Sequence, residues 1–197
     1  MSSVVSREGP FTFTYFPIEG AGEKVRLAFV LAGIPFEDVG VKREDWPELK
    51  PKTKYGQVPM LKIGADVEMA QSTAMMKYVA LAAEDKALYP VADPARCVLI
   101  DEMMGLCADF QAAWAPCVMV GMRPKKFGYP EDMEKGAKDE LLKGLREAFL
   151  ATDLPTFMGY FTAALEGKDF LCGDTPTLAD CWALPMLRYF TKGIADY

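Results

Sequence analysis

Near residue 85 the hydrophobic pattern changes period, and no other feature of these 197 residues limits the fold as much. Before that point short strand-like and helix-like pieces alternate. Residues 11–16 (FTFTYF) are aromatic and threonine-rich, the composition of a strand. Residues 23–32 put Val25, Ala28, Phe29 and Ala32 at helical spacing, and Gly33 supplies a stop. Residues 36–41 (FEDVGV) read as a second strand. Residues 58–63 and 67–69 flank Gly64-Ala-Asp66 as a hairpin. Residues 74–83 then place Met75, Tyr78, Val79 and Ala82 on one helical face. A strand–helix–strand opening implies parallel strands joined by a right-handed crossover. With the hairpin added, the expectation is a mixed four-stranded sheet with helices.

Past residue 85 every periodic segment is helical. Residues 86–93 (KALYPVAD) contain a proline and no period, and read as a linker. Met103, Leu106, Cys107, Phe110, Trp114 and Cys117 form one long apolar stripe, which Pro116 is expected to kink or fray at its end. Residues 122–130 read as a loop and 131–149 as a charged helix. Leu154, Phe157, Met158, Phe161 and Leu165 define a further helix that stops at Gly167. Thr177-Leu-Ala-Asp180 is a variant capping box opening an apolar helix. The expected organisation is a flexible tail over 1–10, an α+β domain over 11–85, a linker over 86–93 and an all-α domain over 94–197.

Composition removes whole classes of chemistry. The chain has no histidine, so histidine triads, histidine metal ligands and histidine proton shuttles are excluded. Its net charge is −6, and neither side of residue 85 is basic: 10 basic and 12 acidic residues before, 12 and 16 after. Nucleic-acid and anionic-membrane binding therefore have no electrostatic support. Cys97, Cys107, Cys117, Cys172 and Cys181 are odd in number and contain no Cys-x-x-Cys pair, which reads as free thiols in a reducing compartment rather than a zinc site. No segment reads as a signal peptide or a membrane span, so a cytoplasmic protein is expected. Gly20-Ala-Gly22 follows a strand, but Val25 stands where a dinucleotide loop needs its third glycine. The methionines at helical spacing read as core filler.

Three places can carry chemistry, and each has an ordinary reading beside the functional one. Tyr15 ends the first strand; half-buried tyrosines are common there, yet strand-to-helix loops also gather backbone N–H groups and helix ends. Tyr55-Gly-Gln-Val-Pro59 leads into a strand; Pro59 is either an ordinary trans turn proline or a cis proline that presents the Val58 backbone. Gln71-Ser72 opens a helix; Ser72 is either a plain N-cap or part of a helix end that holds a carboxylate.

Taken together, Thr14-Tyr-Phe16, Asp45-Trp-Pro-Glu-Leu-Lys50, Tyr55-Gly-Gln-Val-Pro-Met-Leu61, Gln71-Ser-Thr-Ala-Met-Met-Lys-Tyr78 and Gly173-Asp-Thr-Pro-Thr-Leu-Ala-Asp180 resemble the cytosolic glutathione transferases, most closely the sigma-like, tyrosine-dependent class. Each stretch alone is weak; five in the family's order and spacing across residues 11–190 are specific. The resemblance implies an α+β/α architecture, a thioredoxin-like N-terminal domain followed by an all-α domain, assembled as a homodimer. It implies that Tyr15 hydrogen-bonds the sulfur of glutathione. Trp46, Lys50 and Gln57 would bind the glycyl end and backbone of the tripeptide. Val58, before a cis Pro59, would pair with the cysteinyl part, and Gln71 with Ser72 would hold the γ-glutamyl carboxylate. Asp109 would reach the γ-glutamyl amine bound to the other subunit, and Phe16 would begin the electrophile pocket. Glutathione is a co-substrate, and no cofactor or metal is implied.

Two departures stand out. Relatives carry arginines in the loop after the tyrosine, where this sequence has Glu19 and Ala21. The sequence also ends at Tyr197, where relatives continue through further helices, so the electrophile pocket is expected to be open or incomplete. The leading expectation is conjugation of glutathione to small hydrophobic electrophiles, with peroxidase activity beside it. The alternatives are a prostaglandin-type isomerase using the same thiolate, and a non-catalytic glutathione-binding or crystallin-like protein. Thiol-transferase chemistry does not fit, because relatives with that activity have cysteine where Tyr15 stands.

Overall fold

The computed structural model describes residues 10–65 and 67–191. Residues 1–9 of the expected tail, Asp66 of the hairpin turn and the last six residues lie outside the described residues.

Strand β1 (Phe11–Tyr15) alternates buried Phe11, Phe13 and Tyr15 with half-buried Thr12 and Thr14. Period-2 alternation sends the aromatics to one face. There Phe11 meets Phe29 of α1 (Glu23–Leu31) edge-on at 5.5 Å, and Phe29 stacks on Phe36 at 4.4 Å. β2 (Glu37–Gly40) pairs parallel to β1, while β3 (Met60–Ile63) pairs antiparallel to β1 and to β4 (Val67–Ala70). The sheet order is β2-β1-β3-β4, the mixed four-stranded sheet expected. A short helix α2 (Trp46–Leu49) and a 3-10 turn (Lys50–Lys52) connect β2 to β3, and α3 (Ser72–Ala82) follows β4. This half has a thioredoxin-like layout.

The remainder is helical: α4 (Pro94–Met119), α5 (Lys135–Ala148), α6 (Leu154–Leu165) and α7 (Leu178–Thr191). Phe110 of α4 is fully buried and touches Phe149, Phe157, Phe161 and Phe190 at 5.2–6.3 Å, all near edge-to-face. Such pairs are worth about 0.5–1.5 kcal/mol each beyond their buried area.

Three expectations need correction. Pro116 does not fray α4; the Val120 N–H still donates to the Pro116 carbonyl at 3.2 Å, and buried Cys117 and Val120 hold the last turn. A proline near a helix end removes one N–H, and packing on both sides outweighs that loss. The charged helix begins at Lys135, not 131. It also does not stop before the next one: a π turn (Phe149–Asp153) runs directly into α6. Pro155 cannot donate into an α ladder, and a widened turn accommodates it.

The two halves meet where α1 packs on α7. Lys24 of α1 is only 5% exposed, and its ammonium lies 3.2 Å from the centroid of the Trp182 ring. The Trp182 indole N–H donates to Gln111 on α4 at 3.0 Å. The start of α7 is fixed by Asp180, whose carboxylate accepts from the Thr177 N–H at 2.8 Å, the Thr177 hydroxyl at 2.9 Å and the Leu171 N–H at 2.9 Å. Thr177 is fully buried, so these bonds satisfy groups that water cannot reach.

Candidate active site

Sheet register gathers the sequence candidates at one end of the sheet. Thr14 pairs with Met60, and Met60 with Ala70. Tyr15, Pro59 and Gln71 each stand one residue beyond that row, so three separate segments converge there. The Val58–Pro59 peptide bond is cis, in agreement with the resemblance. It lies just before the β3 ladder begins, with Pro59 buried, Val58 half-buried and Gln57 exposed.

Tyr15 is 8% exposed, and its hydroxyl oxygen accepts a hydrogen bond from the Ala21 N–H at 3.0 Å. That bond uses the oxygen as acceptor and leaves the phenolic hydrogen to donate elsewhere. The loop over 16–22 lies directly on the ring. A Cβ at Gly20 would come 2.6 Å from the Tyr15 hydroxyl, and one at Gly22 would come 2.4 Å from Cδ1. Gly20 also has φ +38°. These glycines therefore let the backbone rest on the tyrosine, a role invisible when they are tested only as a phosphate loop.

Arg26 of α1 ties that loop down from one side. Its guanidinium donates to the Ile18 carbonyl at 2.9 Å and the Phe16 carbonyl at 3.3 Å, and pairs with Asp38 at 2.6 Å and Glu23 at 3.3 Å. Burial opposes its charge, but the bonds and charges of Asp38, then Glu23, outweigh burial and raise its pKa above the ordinary value. Sequence reasoning missed Arg26. Apart from Glu23 one helical turn away, its partners are 8 to 12 residues distant in the sequence, with no motif to mark them.

Rings extend the group. Phe16 meets Tyr15 at 5.7 Å and Trp46 at 5.6 Å, both steeply inclined. Lys50 is exposed; its stem runs beside Gly56, its Cε 3.7 Å from where a Cβ would stand, and its carbonyl accepts the Thr53 hydroxyl at 2.9 Å. Gln71 has φ +74°, the left-handed region that a non-glycine residue seldom occupies, and its side chain makes no capping bond. The plain capping reading of Ser72 does not hold, because Ser72 is the first helical residue and Gln71 the cap position. Met75 donates to the Gln71 carbonyl at 3.0 Å, so the N–H groups of residues 72–74 precede the ladder and face outward from the helix end. Asp109 is exposed on α4, outside the Tyr15–Phe16–Trp46 ring group.

Among the described residues no group of three or more acidic or cysteine side chains could hold a metal ion, and no helix is long and apolar enough to cross a membrane. All five cysteines are buried and unpaired; burial pushes the Cys107 and Cys181 thiols up to about 12. A cleft of about 500 Å³ beside α5, lined by Arg123, Lys125, Lys126 and Lys138 among others, shares no residue with the Tyr15 group.

The chain's likeness to known proteins agrees with this geometry. Residues 11–81 match the glutathione S-transferase N-terminal domain and residues 129–196 the C-terminal domain. The chain is 32% identical to glutathione S-transferase 1 of Ascaris suum over 187 residues, which cover 95% of this chain and 83% of the relative. It is 28% identical to the hematopoietic prostaglandin D synthase of Gallus gallus over 172 residues, 86% of this chain and 74% of that one. Among solved structures, a monomeric glutathione S-transferase of the hookworm Necator americanus superposes with a TM-score of 0.67 at 28% identity, covering 95% of this chain and 85% of that one. The chain belongs to the glutathione S-transferase family.

Proposed function

We propose that this chain is a glutathione transferase in which the Tyr15 hydroxyl donates a hydrogen bond to the sulfur of bound glutathione and favours its thiolate, which then attacks a small hydrophobic electrophile. The observation that carries this reading is the Ala21 N–H bond to the Tyr15 oxygen, which uses the oxygen as acceptor and leaves the phenolic hydrogen available as a donor. A free thiol near pKa 8.5 is mostly protonated at pH 7, and bringing it to about 6.5 takes about 2.7 kcal/mol in favour of the thiolate. A hydrogen bond to a charged acceptor contributes about 1.5–3 kcal/mol. A helix N-terminus adds about 0.3–1 kcal/mol. Together they span about 1.8–4 kcal/mol, a range that contains the shift required.

The remaining assignments follow the same reading. The Val58 backbone pairs with the cysteinyl unit beside cis Pro59. Gln71, Ser72 and the open end of α3 hold the γ-glutamyl carboxylate, a fit between an anion and unpaired N–H groups. Trp46, Lys50 and Gln57 bind the glycyl end and backbone, with Lys50 matching a second carboxylate despite the chain's net −6. Phe16 opens the electrophile pocket. The protein is cytoplasmic and works as a homodimer, in which Asp109 reaches the γ-glutamyl amine bound to the partner. Sedimentation velocity tests the assembly, and Asp109→Ala is expected to raise the KM for glutathione with little change in kcat.

Tyr15→Phe is the test of role. It is expected to lower the conjugation rate by about 10- to 100-fold, the loss of one hydrogen bond to a charged group, while glutathione affinity measured by calorimetry at pH 7 changes less than about fivefold. Equal losses in both would refute the role. Isomerisation of a prostaglandin-type endoperoxide is a second reading, favoured by the similarity to prostaglandin D synthase. It is decided by assaying the purified protein on that substrate class. A purely structural role on this fold would leave glutathione unbound.

A further inference from the structure

We infer that Arg188, on the helix at the end of the described chain, is a positioning residue for Tyr15 and acts through Glu19. The inference rests on the reading of Tyr15 as the group that meets the glutathione sulfur.

The Arg188 guanidinium lies 2.8 Å from the Glu19 carboxylate and 4.0 Å from that of Glu23. These residues are 169 positions apart and belong to opposite halves of the molecule. Glu19 is the pivot of the loop that covers Tyr15. Its backbone carbonyl accepts the Gly22 N–H at 3.1 Å and the Glu23 N–H at 2.9 Å, which turns the chain into α1. Between those contacts lies Ala21, whose N–H meets the Tyr15 hydroxyl at 3.0 Å. Two arginines thus hold the loop, one at its start and one at its middle. Arg26 takes the carbonyls of Phe16 and Ile18, and Arg188 takes the side chain of Glu19.

Charge gives the second half of the argument. Glu19 places a carboxylate four residues from Tyr15, and a carboxylate turned toward a bound sulfur disfavours its thiolate. The ion pair draws that carboxylate toward α7 and offsets its charge. The side chains are 43% and 36% exposed, and exposed ion pairs add little to global stability. Loss of Arg188 is therefore expected in the site's chemistry and not in the melting temperature.

The test uses Arg188→Ala and Arg188→Lys in the full-length protein, with two readouts. The first is amide hydrogen exchange at Ala21 without ligand. The second is the thiol titration of bound glutathione. In Arg188→Ala, Ala21 is expected to exchange about 3- to 10-fold faster, with the bound thiol titrating about half a unit to one unit higher. Arg188→Lys is expected to restore most of both, since it keeps the charge. Unchanged exchange at Ala21 in Arg188→Ala overturns the proposal, as does faster exchange with the thiol titration unmoved. If the unmodified protein itself leaves the thiol near 8.5, the transferase reading fails instead, and exchange at Ala21 alone decides whether Arg188 clamps the loop.

Discussion

Lys24 and Arg26 stand two residues apart on α1, carry the same charge, and live in opposite environments. Arg26 faces the Tyr15 loop with two carboxylates and two carbonyls around it. Lys24 faces the helical half, where its ammonium rests on the Trp182 ring and, among the described residues, no carboxylate pairs with it. Burial pushes Lys24 down to about 7, with the nearby Cys107 thiol acting weakly the other way. Burial also acts on Arg26, yet its partners raise it. The contrast teaches that partners, not depth alone, decide whether a buried cation is a clamp or a cost. The site side of α1 uses its charge to build a loop; the other side carries a charge that weakens the fold.

The largest expected effect breaks the Lys24 side. The unfolded chain holds the lysine proton up to about pH 10.5 and the folded chain only to about 7. Below pH 7 both states are protonated, and the deficit is constant at about 5 kcal/mol. Between those values only the unfolded chain binds the proton, so stability climbs with pH. Lys24→Met is expected to stabilise the protein at pH 7 by about 3 kcal/mol, since the lost ring contact returns about 1–2 kcal/mol. It is also expected to flatten the climb. Urea unfolding at pH values below 7 and above 9 measures both, and an undiminished climb in the variant would show that another group carries it.

Arg26→Ala breaks the other side. It strips Asp38, Glu23 and two loop carbonyls of their donor, an expected loss of about 2 kcal/mol by urea unfolding. Conjugation is expected to fall further than stability does, because the loop loses its hold. Arg26→Lys is expected to recover less than half, since an ammonium cannot reproduce the fork that reaches four acceptors.

Gly22→Ala sharpens the comparison by moving the loop without touching a charge. Its Cβ would lie 2.4 Å from the Tyr15 ring, so the ring or the loop must shift, at about 1–3 kcal/mol. The expected readout is a lowered conjugation rate with glutathione affinity nearly intact. The smallest effect concerns the thiols. With all five cysteines buried and Cys107 and Cys181 near 12, a thiol reagent is expected to label native protein much more slowly than denatured protein at pH 7.

The layout of the fold was legible in the sequence because its signals are local. FTFTYF alternates, residues 23–32 repeat at helical spacing, and Gly33 and Gly167 stop helices with φ of +64° and +69°. The site was legible differently. Tyr15, Pro59, Gln71 and Ser72 drew notice as an end of a strand, a turn and a helix start, but only the family resemblance gave them roles. What stayed hidden depends on contacts with no local pattern. Arg188 meets Glu19 across 169 residues, Lys24 meets Trp182 across the junction of the halves, and Gly20 and Gly22 matter only because a ring lies under them. The fraying expected at Pro116 failed for the converse reason: a local rule against proline yielded to packing.

The measurement closest to the central claim is an ultraviolet titration of glutathione saturating the protein, following thiolate absorbance, with Tyr15→Phe beside the unmodified chain. The account expects a bound thiol titrating well below 8.5, about 6.5 to 7.5, and returning toward 8.5 in the variant. A thiol that binds yet titrates near 8.5 in both proteins would contradict it. The fold would then be a glutathione-binding scaffold whose tyrosine does not activate the sulfur.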